Sequence, residues 1–184
     1  MPGVDVALIV CGAPLASRTP DLVQALMVDG WRPTVIGTQA SSGWLDVDAV
    51  AAVLGEAPLF DFRQPDQPKR GGSPAAVVVC PATFNTVNKA ASGISDTYAM
   101  GVLCEAIGTR TPTLIVPMVS DKLWGHPAWS GSLSILADVG ATMLDVNTGR
   151  VGTSAVASGT GDDVVARFDP LWLSGLLRAA AEAR

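Results

Sequence analysis

Three runs limit what this chain can fold into. Val4–Cys11, Ala75–Cys80 and Thr113–Pro117 are apolar almost from end to end, without the alternation of a half-exposed strand. Strands of this kind must be covered on both faces, as in a parallel sheet flanked by helices. Between them lie helical patterns. Asp21–Asp29 places Leu22, Ala25 and Leu26 on one side, with Gly30 as terminator. Leu45–Leu54 reads as a short amphipathic helix, Asn85–Ile107 as a long one with a break near Gly93, and Pro127–Asp138 and Pro170–Ala183 as two more. Pro33–Gly37, Pro58–Phe62 and Thr142–Leu144 complete the predicted strands. Strands alternating with helices predict a three-layer, doubly wound (Rossmann-like) α/β fold with a parallel sheet. No internal repeat or linker divides the 184 residues, so one domain is expected. Arg63–Pro74, with three prolines and paired glycines, reads as an exposed connection. Residues 147–163, rich in Gly, Ser, Thr and Ala, read as a mobile flap.

Composition adds an expectation about assembly. Charged residues make up 16% of the chain and hydrophobic ones 48%, against a typical charged share of about 25%. A chain so poor in charge would have trouble covering its own surface, which predicts a homo-oligomer. The net charge of −5 argues against a nucleic-acid partner. No run of about 18 apolar residues predicts a membrane span, and Met1–Asp5 lacks the basic lead of a signal peptide. Cytoplasm is the expected compartment. Cys11, Cys80 and Cys104 have no metal-type spacing and read as buried, reduced thiols.

In such a fold ligands sit beyond the carboxyl ends of the strands. After the first strand, Gly12–Thr19 has neither G-x-G-x-x-G nor a Walker lysine. Gly12, Ser17 and Thr19 either bind an anion near the helix start or supply its cap, and the residues alone leave both readings open. Thr38–Ser42 puts hydroxyls on the same rim, where an ordinary turn is the simpler reading. After the central strand, Thr83, Asn85 and Thr86 offer hydroxyl and amide groups with no lysine or arginine among them. That edge suits a neutral, planar, hydrogen-bonding ligand, and a flavin is the first candidate.

Two blocks carry a resemblance. Pro81-Ala82-Thr83-Phe84-Asn85-Thr86, then Gly93-Ile94-Ser95-Asp96, resembles the Pro-Ala-Ser-Ala-Asn-Thr and Gly-Ile-x-Asp pattern of a flavoprotein family. That family includes homo-oligomeric flavin-containing cysteine decarboxylases, phosphopantothenoylcysteine decarboxylases and, more distantly, flavin prenyltransferases. Thr83 keeps the hydroxyl of the pattern, whereas Phe84 adds bulk where it has alanine. Pro117-Met118-Val119-Ser120-Asp121-Lys122-Leu123-Trp124-Gly125-His126-Pro127 is similar to the family's substrate clamp, Pro-x-Met-Asn-x-x-Met-Trp, with Val119 and Ser120 replacing its methionine and asparagine. The resemblance covers most of residues 4–145. It implies FMN, with the phosphate near Gly12, Ser17, Thr38 and Ser41 and the ring along Pro81, Ala82, Thr83, Phe84, Asn85, Thr86 and Met118. It also implies a flavin at a subunit contact and a homotrimer or a multiple of one.

Departures from the pattern bear on chemistry. The family's decarboxylases use a histidine ahead of the central strand, where this chain has Asp66-Gln67-Pro68-Lys69-Arg70. Lys69 is a substitute base in one reading and a solvated charge in the other. The pantothenate branch also uses a flap cysteine, and Gly149–Asp163 contains none. The expected protein is therefore not a standard cysteine decarboxylase. It is an FMN-binding enzyme with redox or decarboxylase-like chemistry on a small molecule, Asn85 orienting the substrate and Ser120 assisting. His126, the single histidine, reads as opening the helix at Pro127 rather than as a base, Trp124 as a pocket or interface wall, and Asp96 as structural. The competing readings are a non-catalytic flavin module, a lyase or prenyltransferase using Arg110 or Lys122 for a second phosphate, and a nucleotide binder without flavin.

Overall fold

A computed structural model of the protein describes residues 3–67 and 72–182. Strands β1 (Val4–Val10), β2 (Trp31–Gly37), β3 (Ala76–Ala82), β4 (Thr113–Pro117) and β5 (Thr142–Met143) form one parallel sheet in the order β2-β1-β3-β4-β5. Alternate side chains enter opposite layers, as the period of two requires. Val6, Leu8 and Val10 of β1, with Val78 of β3 and Val116 of β4, meet α1 (Thr19–Val28), α2 (Val47–Leu54), α7 (Gly161–Arg167) and α8 (Leu171–Glu182). Ala7 and Ile9, with Val77, Val79 and Ile115, meet α3 (Phe84–Ala91), α4 (Tyr98–Gly108) and α6 (Pro127–Asp138). A short helix, α5 (Asp121–Trp124), links β4 to α6. The three-layer doubly wound architecture expected from the apolar runs is the one observed.

Several elements differ from expectation. The long helix over 85–107 is two helices. Gly93 at φ +69° leaves α3, and Thr97 restarts the chain by accepting the Met100 N–H at 3.3 Å. Asp96 thus sits in the connector, paired with Lys89 at 2.7 Å, rather than in mid-helix. The strand predicted at Pro58–Phe62 shrinks to one bridge, Leu59 to Ile36. The next residue, Phe60, turns its ring onto Gly37, where a β carbon would lie 2.4 Å from it. The segment predicted as an irregular flap carries two bridges, Leu144 to Val151 and Ser120 to Val156, and enters α7 at Gly161. Cys11 and Cys80 are buried free thiols, while Cys104 is half-exposed and donates to the Ile94 carbonyl at 3.7 Å. Pro68, Lys69 and Arg70 lie outside the described residues. No helix among the described residues is long and apolar enough to cross a membrane.

Candidate cofactor site at the carboxyl edge of the sheet

With this strand order the topology reverses between β1 and β3, which opens a crevice beyond their carboxyl ends. Short backbone bonds fix its floor. The Cys11 N–H donates to the Pro81 carbonyl at 3.1 Å, and the Met118 N–H to the Ala82 carbonyl at 2.9 Å. Those bonds tie the ends of β1, β3 and β4 together. Gly12 is required by packing, since a β carbon there would fall 2.4 Å from the Ala40 carbonyl oxygen in the loop after β2. Thr83 caps α3: its Oγ1 accepts the Thr86 N–H at 3.4 Å and lies 3.1 Å from the Thr86 hydroxyl. The Thr86 hydroxyl is in turn 3.1 Å from Cys11 Sγ. Burial pushes the Cys11 thiol up, so this chain of groups is neutral and structural.

Above this floor lies a cavity of about 530 Å³, within the usual range for small-molecule sites. The loops after β1, β3 and β4 form three sides, and a strap over 156–162 forms the fourth. Two backbone bonds clamp the strap, Val156 N–H to the Val119 carbonyl and Asp121 N–H to the Val156 carbonyl, both 2.9 Å. The Ser158 hydroxyl adds a bond to the Asp121 carboxylate. Further back, Asn147 donates to Ser154 Oγ at 2.9 Å and to the Ala155 carbonyl at 3.2 Å. Phe84 supplies the main aromatic wall. It stacks on Trp129 at 5.5 Å and meets the His126 ring edge-on at 5.5 Å. A separate cavity of about 360 Å³ near Phe62, Tyr98 and Glu105 contains none of the motif residues.

The predicted site residues divide into two groups. Gly12, Thr83, Phe84, Asn85, Met118 and Ser120 line the cavity together. Asn85 is exposed there, and its amide bonds to no other described residue. Pro81, Ala82 and Thr86 are buried behind the wall and hold its frame. Ser17, Thr38 and Ser41 do not line it. Ser17 and Ser41 end up in 3₁₀ turns, Pro14–Arg18 and Gln39–Ser41, where residues three apart eclipse one another. Their hydroxyls therefore fold back on the carbonyls of Pro14 (2.9 Å) and Thr38 (2.6 Å). The Thr38 hydroxyl is buried without a hydrogen-bond partner among the described residues. Thr19 bonds to the Ala16 carbonyl, and no side chain caps α1.

His126 is the N-cap of α6, its Nδ1 accepting the Ala128 N–H at 3.1 Å. Arg110 lies at the amino edge of β4, far along the strand from the cavity, and the exposed Lys122 is not in the wall. Neither cation offered for a second phosphate is in place. The strap residues Val156, Ser158 and Asp162 were missed as individuals, because a Gly/Ser-rich run marks a flap without saying which side chain turns inward. A flavin fits what is present: an apolar slot between Phe84, Met118, Val119 and Val156, and a free amide at Asn85.

Residues 1–168 match the model of the Flavoprotein family. The chain is 30% identical over 146 residues to the coenzyme A biosynthesis bifunctional protein CoaBC of Mycobacterium tuberculosis, covering 77% of this chain and 34% of that protein. It is 35% identical over 69 residues to the protein of that name from Thermococcus kodakarensis, covering 38% and 17%. The chain thus spans about a third or less of the length of these relatives. Among solved structures, a PPC decarboxylase mutant superimposes with a TM-score of 0.72 at 17% identity, covering 98% of this chain and 99% of that one. The FMN binding protein AtHal3 gives 0.71 at 17% identity, and the FMN-dependent cysteine decarboxylase SpaF 0.68 at 22%, each with 98% of both chains covered. These likenesses show a shared fold. With the family model matched over most of its length, the chain belongs to the Flavoprotein family.

Proposed function

We propose that this protein binds FMN in the cavity at the carboxyl edge and uses it for redox or decarboxylase-like chemistry on a small molecule. The observation that carries this reading is the meeting of the two motif blocks, 81–86 and 117–124, in one cavity at the switch point of the sheet. Family membership and FMN-binding neighbours of the same fold support it. A bound flavin would supply the electron chemistry. The chain's own part is to bind, orient and exclude water. Phe84, Met118, Val119 and Val156 shield the ring from solvent, the loop Gly12–Pro14 serves the phosphate end, and Asn85 and Ser120 hold the substrate. The absence of a histidine at 66–70 and of a cysteine at 149–163 sets our reading apart from a standard cysteine decarboxylase.

An absorbance spectrum of the purified protein with added FMN tests the reading. A yellow complex at micromolar FMN is expected, and its absence would sink the proposal. Asn85→Asp is expected to retain the fold and FMN while altering flavin reactivity toward substrate. Unchanged reactivity would remove Asn85 from the site. Tight FMN binding with no reduction by any substrate would favour the non-catalytic module.

A further inference from the structure

We infer that Trp129 and Trp124 form an electron relay from the wall of the cavity to the surface of the chain, through which a thiol in solution reduces the bound flavin under blue light. The inference rests on the flavin reading above and adds a light-driven activity to it.

Phe84, which stands where the family pattern has alanine, is the one aromatic side chain among the described residues lining the cavity. Behind it Trp129 stacks at 5.5 Å between ring centroids with 21° between the planes, and Trp124 follows at 5.2 Å and 57°. The rings thus lead away from the cavity in contact with one another. Backbone bonds hold both indoles in place: the Trp124 N–H donates to the Ser120 carbonyl and the Trp129 N–H to the His126 carbonyl, each at 2.9 Å. Exposure rises along the row, from 2% at Trp129 to a half-buried Trp124. The Trp129 indole N–H is buried with no acceptor among the described residues. Packing leaves such a donor uncompensated, and a redox role is one explanation for keeping it. An indole that has lost one electron sheds its N–H proton only to an acceptor. Without one at Trp129, the electron vacancy stays mobile and passes to Trp124, the ring nearer to water. Trp129 gives one electron to the photoexcited flavin ring, Trp124 restores Trp129, and the thiol restores Trp124. A dithiol closing to its disulfide releases two electrons and two protons, so two passes along the relay reduce one flavin, the protons arriving through solvent.

The test uses the FMN-loaded protein, freed of unbound FMN by gel filtration and kept anaerobic with dithiothreitol as the donor. The fluorescence lifetime of the flavin reports electron loss from Trp129, and bleaching of the visible band under blue light reports net passage. The parent is expected to show a lifetime far shorter than that of free FMN, a transient absorbance of oxidised indole, and bleaching. Trp129→Phe should restore most of the lifetime and lose most of the bleaching. Trp124→Phe should keep the short lifetime yet lose most of the bleaching, because the electron returns to Trp129. A purely structural role for the two indoles would not divide the readouts in this way. A parent lifetime equal to that of free FMN, no oxidised-indole signal, an unchanged lifetime in Trp129→Phe, or bleaching of either variant as fast as the parent would overturn the relay and leave the flavin reading standing. Failure to form a yellow complex at all would overturn both.

Discussion

Thr83 and Phe84, adjacent in sequence, do different work. Thr83 turns its hydroxyl inward to cap α3, and Phe84 becomes the aromatic wall of the cavity. The same scale decides the fate of the glycines. Gly149 has φ +69°, and a β carbon there would lie 2.2 Å from the Trp172 ring. Gly149→Ala must both adopt a left-handed backbone and displace a packed indole. A loss of roughly 1–3 kcal/mol is expected, seen as a fall of about 2–4 °C in Tm per kcal/mol. A Tm within one degree of the parent's would show that the indole moves freely. The thiols give a second prediction. Burial pushes up the Cys80 and Cys11 thiols, and Cys104 is raised by partial burial and then by Asp96. Ellman's reagent at neutral pH should titrate one thiol slowly, that of Cys104, and three after denaturation. Rapid reaction of two or more native thiols would contradict the burial. The motif blocks announced Thr83, Phe84 and Asn85 because their types and spacing are local. They could not announce that Ser17 and Ser41 turn away, since that follows from 3₁₀ geometry which leaves little trace in residue type.

At the scale of elements, the strap over 156–162 is the part most open to experiment. Its clamp joins Ser158 to Asp121, and the Ser158 hydroxyl is the main group holding the Asp121 carboxyl below its ordinary range, aided by the Ser158 and Lys122 backbone amides. A carboxyl lowered on folding contributes its stabilisation above the unfolded carboxylate range and loses it as pH falls through the lowered folded value. Strap closure should therefore be constant from neutral pH down to about pH 5 and weaken below about pH 4. Intrinsic-rate-corrected hydrogen exchange at the Val156 amide would follow it. Ser158→Ala should raise the Asp121 pKa toward the ordinary carboxylate value and speed that exchange at neutral pH. Exchange indifferent to both pH and the substitution would show that the backbone bonds at Val119 and Val156 hold the strap alone. Composition marked this segment as flap-like, yet the bond spans 37 residues. Such a contact has no periodic signal in sequence.

For the whole molecule, scarce charge and exposed apolar side chains point the same way. Phe62, Val28 and Leu171 are 56%, 74% and 61% exposed, a large share for a chain that is 16% charged. They favour a homo-oligomer, and the family resemblance sets the expected assembly at a homotrimer or a multiple of one. Light scattering after size-exclusion chromatography should give three copies of the 18.9 kDa chain or a multiple. A stable monomer at micromolar concentration would exclude it.

The layered α/β fold was legible because it rests on local periodicity. Strands apolar on both faces dictate helices on both sides, and the sequence alone carried β1, β3, β4, α6 and the two motif blocks. Tertiary structure decided the rest. The order β2-β1-β3-β4-β5 placed the switch point between β1 and β3 and so brought Gly12 beside Thr83. Packing of Phe60 on Gly37 reduced an expected strand to a bridge, and the turn at Gly93 split an expected helix. That Asp162 is the one ionisable side chain among the described residues lining the cavity is also a tertiary property. Residue type states that a charge exists, and only the folded chain determines which surface it faces.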